Sequence, residues 1–242
     1  MTLGKLRDAI QNSYLVNFYQ PIINNHTGNF EKYEALVRIQ LPSGEMIPPL
    51  SFLTLAKQAK IYSFISRSVV QHALDHFRNL PYQVSINFTP EDLLDKKLKH
   101  FLLNSLSNFE HPERIVLEIT ESESIQNYEE IKENLKPFLA LGCQLAIDDF
   151  GSGYSNFAHI FALRPHFIKI DGSLIKNLDK DETAYAVVKA ICQFARELGA
   201  KTVAEYVHNE IIWYKVKELK IDYSQGFFFS PPVPYDKIFG KE

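Results

Sequence analysis

The chain has 242 residues, 45% hydrophobic and 23% charged, close to the roughly 250 residues of a (β/α)8 barrel and with enough apolar side chains for one large core. A formal net charge of −3 excludes a broad basic surface and with it duplex nucleic acid as a partner, so a phosphate-bearing ligand must be held locally, by metals, Arg or Lys. Cys143 and Cys192 lack CxxC spacing and suit a reducing cytoplasm, Met1 to Gln20 lacks the apolar core of a secretion signal, and no stretch approaches the ~20 apolar residues needed for direct membrane insertion.

In chain order, Tyr14 to Pro21 and Phe30 to Ile39 read as strands joined through Asn24, Asn25, His26, Thr27 and Gly28, a hairpin-type cluster that makes the pair antiparallel. Helical spacing follows at Phe52, Leu55, Ala56 and Ala59, then at Ile65, Val69 and Ala73, before a strand from Val84 to Phe88. Thr89 caps the next predicted helix, with Pro90 at its first position and Leu94, Leu98, Phe101 and Leu102 along one stripe. Arg114 to Thr120 turns β-like. A helix carrying Tyr128, Ile131, Leu135 and Phe138 stops near Gly142 and leads into a strand from Gln144 to Asp149. Phe167 to Asp171 is the next strand. Ala184, Val188, Ile191, Ala195 and Leu198 form the clearest amphipathic helix, ending at Gly199 ahead of a strand from Thr202 to Glu205. A last helix and the strand Ile221 to Gln225 complete the alternation. About eight such units in this length favour a closed α/β barrel over an open sheet, in a single domain spanning residues 1–242.

Barrel enzymes work at the carboxyl ends of their strands, and here nearly every strand closes on an acid or an amide. One charged strand end is ordinarily solvated loop chemistry; the series is the signal. Glu34 and Arg38 share one face of their strand, with Tyr33, Ala35, Val37 and Ile39 on the other. Asn87, Glu118, and the pair Asp148 and Asp149 sit on three further strands. Converging oxygen donors suit hard cations such as Mg²⁺ or Mn²⁺, and adjacent aspartates allow one carboxylate to bridge two ions. Lys169 and Asp171 share a face, so the lysine is expected inside the mouth with a carboxylate orienting it, or in a simple ion pair. Glu205 can be a metal ligand, a water-activating base or a solvated acid, and spacing does not choose.

Three other features read as packing or loop. His72-Ala73-Leu74-Asp75-His76 resembles an inverted zinc-protease motif with Asp for Glu, but His72 lies beside the Val69 and Ala73 stripe and no third ligand is evident. Gly151-Ser152-Gly153 is a loop without the dinucleotide-binding fingerprint. Phe227-Phe228-Phe229 could stack bases, yet aromatics closing a barrel serve packing more often.

Glu34-Ala35-Leu36-Val37-Arg38 carries the signature after which the EAL domain is named. Gln20-Pro21-Ile22, Asn87, Glu118-Ile119-Thr120-Glu121, Asp148 through Ser155, Lys169-Ile170-Asp171, Ala204-Glu205 and Gln225-Gly226 resemble that family's other motifs, in order and over essentially the whole chain. The resemblance implies a modified TIM (β/α)8 barrel with one antiparallel strand near the N-terminus and a phosphodiesterase that opens cyclic di-GMP to linear pGpG. It implies two Mg²⁺ or Mn²⁺ ions per site, one held by Glu34, Asn87, Glu118 and Asp148 and the second by Asp148 and Asp149. Glu205 and Lys169 then position and activate water, Gln20, Leu36 and Arg38 contact the dinucleotide, Asp171 and Gln225 support the site, and Glu121 steadies the loop from Asp149 to Ser155. The resemblance also allows a homodimer through barrel helices.

The chain departs from the family beside Glu205, where Gly-Val-Glu becomes Tyr206-Val207-His208, and at Asn156, where Ser is common. His208 replaces a carboxylate, which predicts an acid-sensitive rate if it faces the metals. The principal alternative is a cyclic di-GMP receptor or protein-binding regulator with the same fold and little turnover. A third is a barrel enzyme acting on another phosphodiester. Retention of every primary ligand favours catalysis.

Overall fold

The alternating strand and helix periods fold, in a computed structural model describing residues 1–120, 128–153 and 157–240, into a closed ring of strands with helices outside it. The strands are β1 (Leu15–Asn24), β2 (Phe30–Gln40), β3 (Met46–Ile47), β4 (Gln83–Phe88), β5 (Ile115–Thr120), β6 (Gln144–Phe150), β7 (Phe167–Ile170), β8 (Lys201–Ala204), β9 (Tyr223–Gln225) and β10 (Val233–Pro234). Eight of them close in the order β1-β2-β4-β5-β6-β7-β8-β9, while β3 and β10 pair outside the ring. Strand β1 runs antiparallel to both of its ring neighbours and the remaining contacts within the ring are parallel. The reversal follows from the polar hairpin turn, where Asn24 Oδ1 accepts the His26 and Thr27 amides at 2.9 and 3.2 Å and Gly28 takes a left-handed φ of 75°.

The helices are α1 (Leu3–Gln11), α2 (Leu53–Gln58), α3 (Tyr62–Phe77), α4 (Pro90–Leu94), α5 (Lys96–Ser107), α6 (Tyr128–Ala140), α7 (Phe157–Leu163), α8 (Gly172–Ile175), α9 (Glu182–Leu198), α10 (Glu210–Glu218) and α11 (Tyr235–Phe239). The stretch read as one helix from Pro90 divides at Asp95, whose extended backbone ends α4 while its carboxylate caps α5 through the Lys97 and Leu98 amides at 2.8 and 2.9 Å. Helices α1, α7, α8 and α11 were not expected from the sequence.

Strand alternation makes two cores. Outward residues such as Tyr33, Ile86, Leu117, Leu145 and Ile168 join the helix faces, where each fully buried aliphatic side chain contributes roughly 1.5–3 kcal/mol. Inside the ring a separate, small apolar layer forms from Ile22, Val116, Ala146, Phe167, Val203 and Tyr223. This layer divides the interior, setting polar groups at the carboxyl ends of the strands apart from those at the amino ends.

Candidate active site

The carboxyl ends of the strands gather their acids around one ammonium. Lys169, on β7, is 1% exposed, and its Nζ lies 2.8 Å from Asp148 Oδ1, 2.9 Å from Glu205 Oε1, 3.0 Å from Glu118 Oε2 and 3.5 Å from Glu34 Oε2. Burial opposes its charge, but Asp148, Glu118, Glu205 and Glu34 outweigh that and hold it well above the usual lysine range. The carboxylates respond in the opposite sense. Burial, only partly offset by Lys169, pushes Glu118 up to about 8 and Glu205 well above the ordinary range, with Glu34 and Asp148 adding like-charge repulsion.

An amide layer fixes Glu34. Asn87 Nδ2 donates to its Oε1 at 2.7 Å, and Gln225 Nε2 donates to its Oε2 at 2.6 Å and to Gln20 Oε1 at 3.1 Å. Gln20 in turn donates to the Ser230 carbonyl at 3.1 Å. The register explains the meeting: Gln20 pairs with Glu34 across β1 and β2, and Gln225 sits opposite Ile22. Ser85, missed in the sequence, is buried on the neighbouring strand and partly offsets the rise at Glu118. Its signal was present, because Ser85 and Asn87 share a strand face at a spacing of two.

Asp149 reaches the mouth by breaking the strand. Regular alternation would send it to the face opposite Asp148, but its backbone turns left-handed, with φ 56°, where the β6 register against β7 shifts between Ile147 and Phe150. A short polar side chain tolerates that conformation better than most. As a result Asp148, Asp149 and Glu205 offer oxygens that all lie within 4.8 Å of one another. Burial, then Asp148 and Asp171, push Asp149 up to about 6. Such a donor set, all carboxylate oxygen, fits a hard divalent cation. Two buried oxygens of the mouth, Asp148 Oδ1 and Gln225 Oε1, also accept no hydrogen bond from the described residues; the Asp148 atom forms its 2.8 Å ion pair with Lys169 off the hydrogen-bonding direction.

Other predicted residues sit at the margin. Arg38 is half-buried on the Glu34 face, bonded to the Val37 carbonyl at 2.8 Å and lying 5.7 Å over the Phe18 ring. Leu36 and Asn87 line an adjoining cavity of about 240 Å³. Asp171 does not orient Lys169. It leaves the strand and caps α8, accepting the Ser173 amide at 2.9 Å and the Ser173 hydroxyl. Tyr206 and His208 are exposed, with their rings 5.6 Å apart. Glu121, Tyr154, Ser155 and Asn156 lie outside the described residues. The histidine pair serves packing: His76 Nδ1 meets the Tyr19 hydroxyl at 2.8 Å and its ring stacks on Tyr235 at 4.4 Å. Phe228 and Phe229 likewise pack on Trp213, at 5.8 and 5.4 Å.

The family model for the EAL domain matches residues 3–232, which is nearly the whole chain. The chain belongs to the EAL domain family. This EAL domain is 31% identical over 238 residues to the cyclic di-GMP phosphodiesterase PdeF of Escherichia coli, covering 96% of the chain and 32% of that protein. It is 33% identical over 232 residues to the cyclic di-GMP phosphodiesterase PdeA of Borreliella burgdorferi, covering 93% of the chain and 35% of that protein. The EAL domain thus spans about a third of the length of the curated relatives it matches. Its fold superposes on the PaMucR phosphodiesterase in its c-di-GMP complex with a TM-score of 0.91 and 29% identity, over 98% of this chain and 99% of that one. Among the described residues of the EAL domain, no helix is long and apolar enough to cross a membrane.

Proposed function

We propose that this EAL domain hydrolyses cyclic di-GMP to linear pGpG in the cytoplasm, using two divalent cations, Mg²⁺ or Mn²⁺. The observation that carries the reading is the convergence of Glu34, Glu118, Asp148 and Glu205 on Lys169, with Asp149 beside them. Relatives named for the same activity, and two buried free thiols suited to a reducing compartment, support it.

Glu34, Asn87, Glu118 and Asp148 would hold one cation and Asp148 and Asp149 the second, with Glu205 grouped beside that pair. When bound, such cations lower the pKa of water and offset the negative charge that builds on phosphorus. The remaining work falls to the chain. Glu205, grouped with Asp148 and Asp149, would take the proton of the attacking water. Lys169 orients the carboxylates and keeps a positive charge beside the reacting phosphate. Gln20 and Gln225 hold Glu34 in its rotamer, and Arg38 would clamp a phosphate with its planar fork. Leu36 would line the dinucleotide and Asp171 would support the loop that carries it.

The test is turnover of cyclic di-GMP by the purified chain with Mg²⁺, Mn²⁺ or Ca²⁺, beside Glu34→Gln and Asp148→Asn. Both variants should keep their circular dichroism and lose turnover, and Ca²⁺, with longer bonds and looser geometry, should inhibit. Wild-type rates in either variant, or full turnover with Ca²⁺, would contradict the mechanism. Tight binding without turnover in the unmodified chain would mark a receptor.

A further inference from the structure

At the amino-terminal end of the barrel, opposite the acidic mouth, the first residues of five strands, Gln83, Gln144, Phe167, Lys201 and Tyr223, meet around a cavity of about 480 Å³. Lys32 reaches into it from β2. It is 5% exposed, donates to Gln83 Oε1, and holds its ammonium 3.9 Å from the centre of the Phe167 ring and 4.8 Å from that of Tyr223. Lys201 approaches the Tyr223 ring, with its ammonium 5.7 Å from the centre. His166 completes the basic set. Its Nδ1 accepts the Leu145 amide at 3.1 Å, which leaves the ring proton on Nε2.

The carboxylate lining this cavity is committed elsewhere: Glu31 accepts Asn24 Nδ2 at 3.0 Å and the Thr27 hydroxyl at 3.1 Å, both from the hairpin turn. Glu118, the other acid that Lys32 feels, belongs to the Lys169 cluster beyond the apolar layer. Basic groups therefore crowd one another. Burial and then Lys201 push Lys32 down to about 7, and burial and then Lys32 lower His166. A bottom layer built for packing alone would carry an apolar residue, or pair Lys32 with an acid. An oxyanion relieves all of this at once.

We propose that this cavity binds the phosphate group of a small molecule or free phosphate, held by Lys32, Lys201 and Nε2 of His166. The site is separate from the carboxylate mouth and independent of its chemistry.

Nuclear magnetic resonance titration at constant ionic strength tests it, with inorganic phosphate and ribose 5-phosphate as probes and chloride as the balancing anion. Saturable shifts at the amides of Gln83, Gln144, Phe167 and Lys201, weakened about tenfold in Lys201→Gln and in Lys32→Met, are expected for lost charge-assisted hydrogen bonds. Equal affinity for the probes identifies free phosphate, and tighter binding of the sugar phosphate identifies an organic ligand. Lys201 is exposed, so its variant reads binding without endangering the fold. Shifts that do not saturate, that fall at the acidic mouth, or that persist unchanged in Lys201→Gln overturn the proposal.

Discussion

Tyr206 holds a backbone conformation that L-residues avoid, with φ 56°, directly after Glu205. The left-handed region costs a residue with a Cβ roughly 1–2 kcal/mol, and only glycine enters it freely. The glycine that EAL sequences commonly carry here therefore has a physical reason, and this chain keeps the turn without it. Tyr206 is 61% exposed, so removing its ring forfeits little burial. Tyr206→Gly should raise the melting temperature by about 2–4 °C, the shift expected for ~1 kcal/mol in a domain of this size. A melting temperature that falls would show that the ring's contact with His208, 5.6 Å between centroids, outweighs the strain.

The strand β9 and the loop after β8 meet at a point where only glycine fits. A Cβ on Gly226 would lie 2.0 Å from the Val207 carbonyl oxygen and 2.4 Å from its nitrogen, both backbone atoms that cannot swing aside. The contact is tight because Val207 donates to the Gln225 carbonyl at 3.0 Å and accepts the Phe228 amide at 3.1 Å. Gly226→Ala should cost about 3 kcal/mol or more in a urea unfolding series, at the upper end of overpacking penalties, and should disturb Gln225 on Glu34. Gly4→Ala in α1 is the control. Its new Cβ meets nothing within 4 Å and should gain up to about 1 kcal/mol of helix propensity. Equal midpoints for the two variants would refute the close approach.

Across the whole barrel, a small apolar layer separates an acidic end from a basic one. At the acidic end Lys169 alone pairs with four carboxylates among the described residues. Breaking a buried charge pair from one side costs about 3–5 kcal/mol, because the remaining charges are left uncompensated. Lys169→Met should therefore lower the melting temperature by roughly 10 °C at pH 7.5 in chelator. Glu118, at about 8 with the lysine present, and Glu205, raised likewise, go higher without it, so the loss should be largest above pH 8 and shrink as pH falls toward the ordinary carboxylate range, where the unfolded chain takes up the same protons. Excess Mg²⁺ or Mn²⁺ should restore the variant by mass action. A variant as stable as its parent in chelator at pH 7.5 would show that the cluster is solvated and the ion pairs unimportant.

Much of this protein was legible without its structure. Alternation with a period of two put Glu34 and Arg38 on one face of their strand, and acids or amides closing strand after strand pointed to one mouth, because barrel geometry brings strand ends together. The hairpin turn at Asn24 to Gly28 announced the reversed strand. Tertiary structure decided what local periods do not encode. The left-handed turn that swings Asp149 toward Asp148 and Glu205 arises from a register shift against a neighbouring strand. Lys169 found its partners in strands separated from it by up to 135 residues, and not in Asp171 two positions along. The basic chamber around Lys32 likewise depends on what packs against it. A side chain's face follows from its own few neighbours in sequence, whereas its partners depend on how the closed ring aligns strands that are distant in the chain.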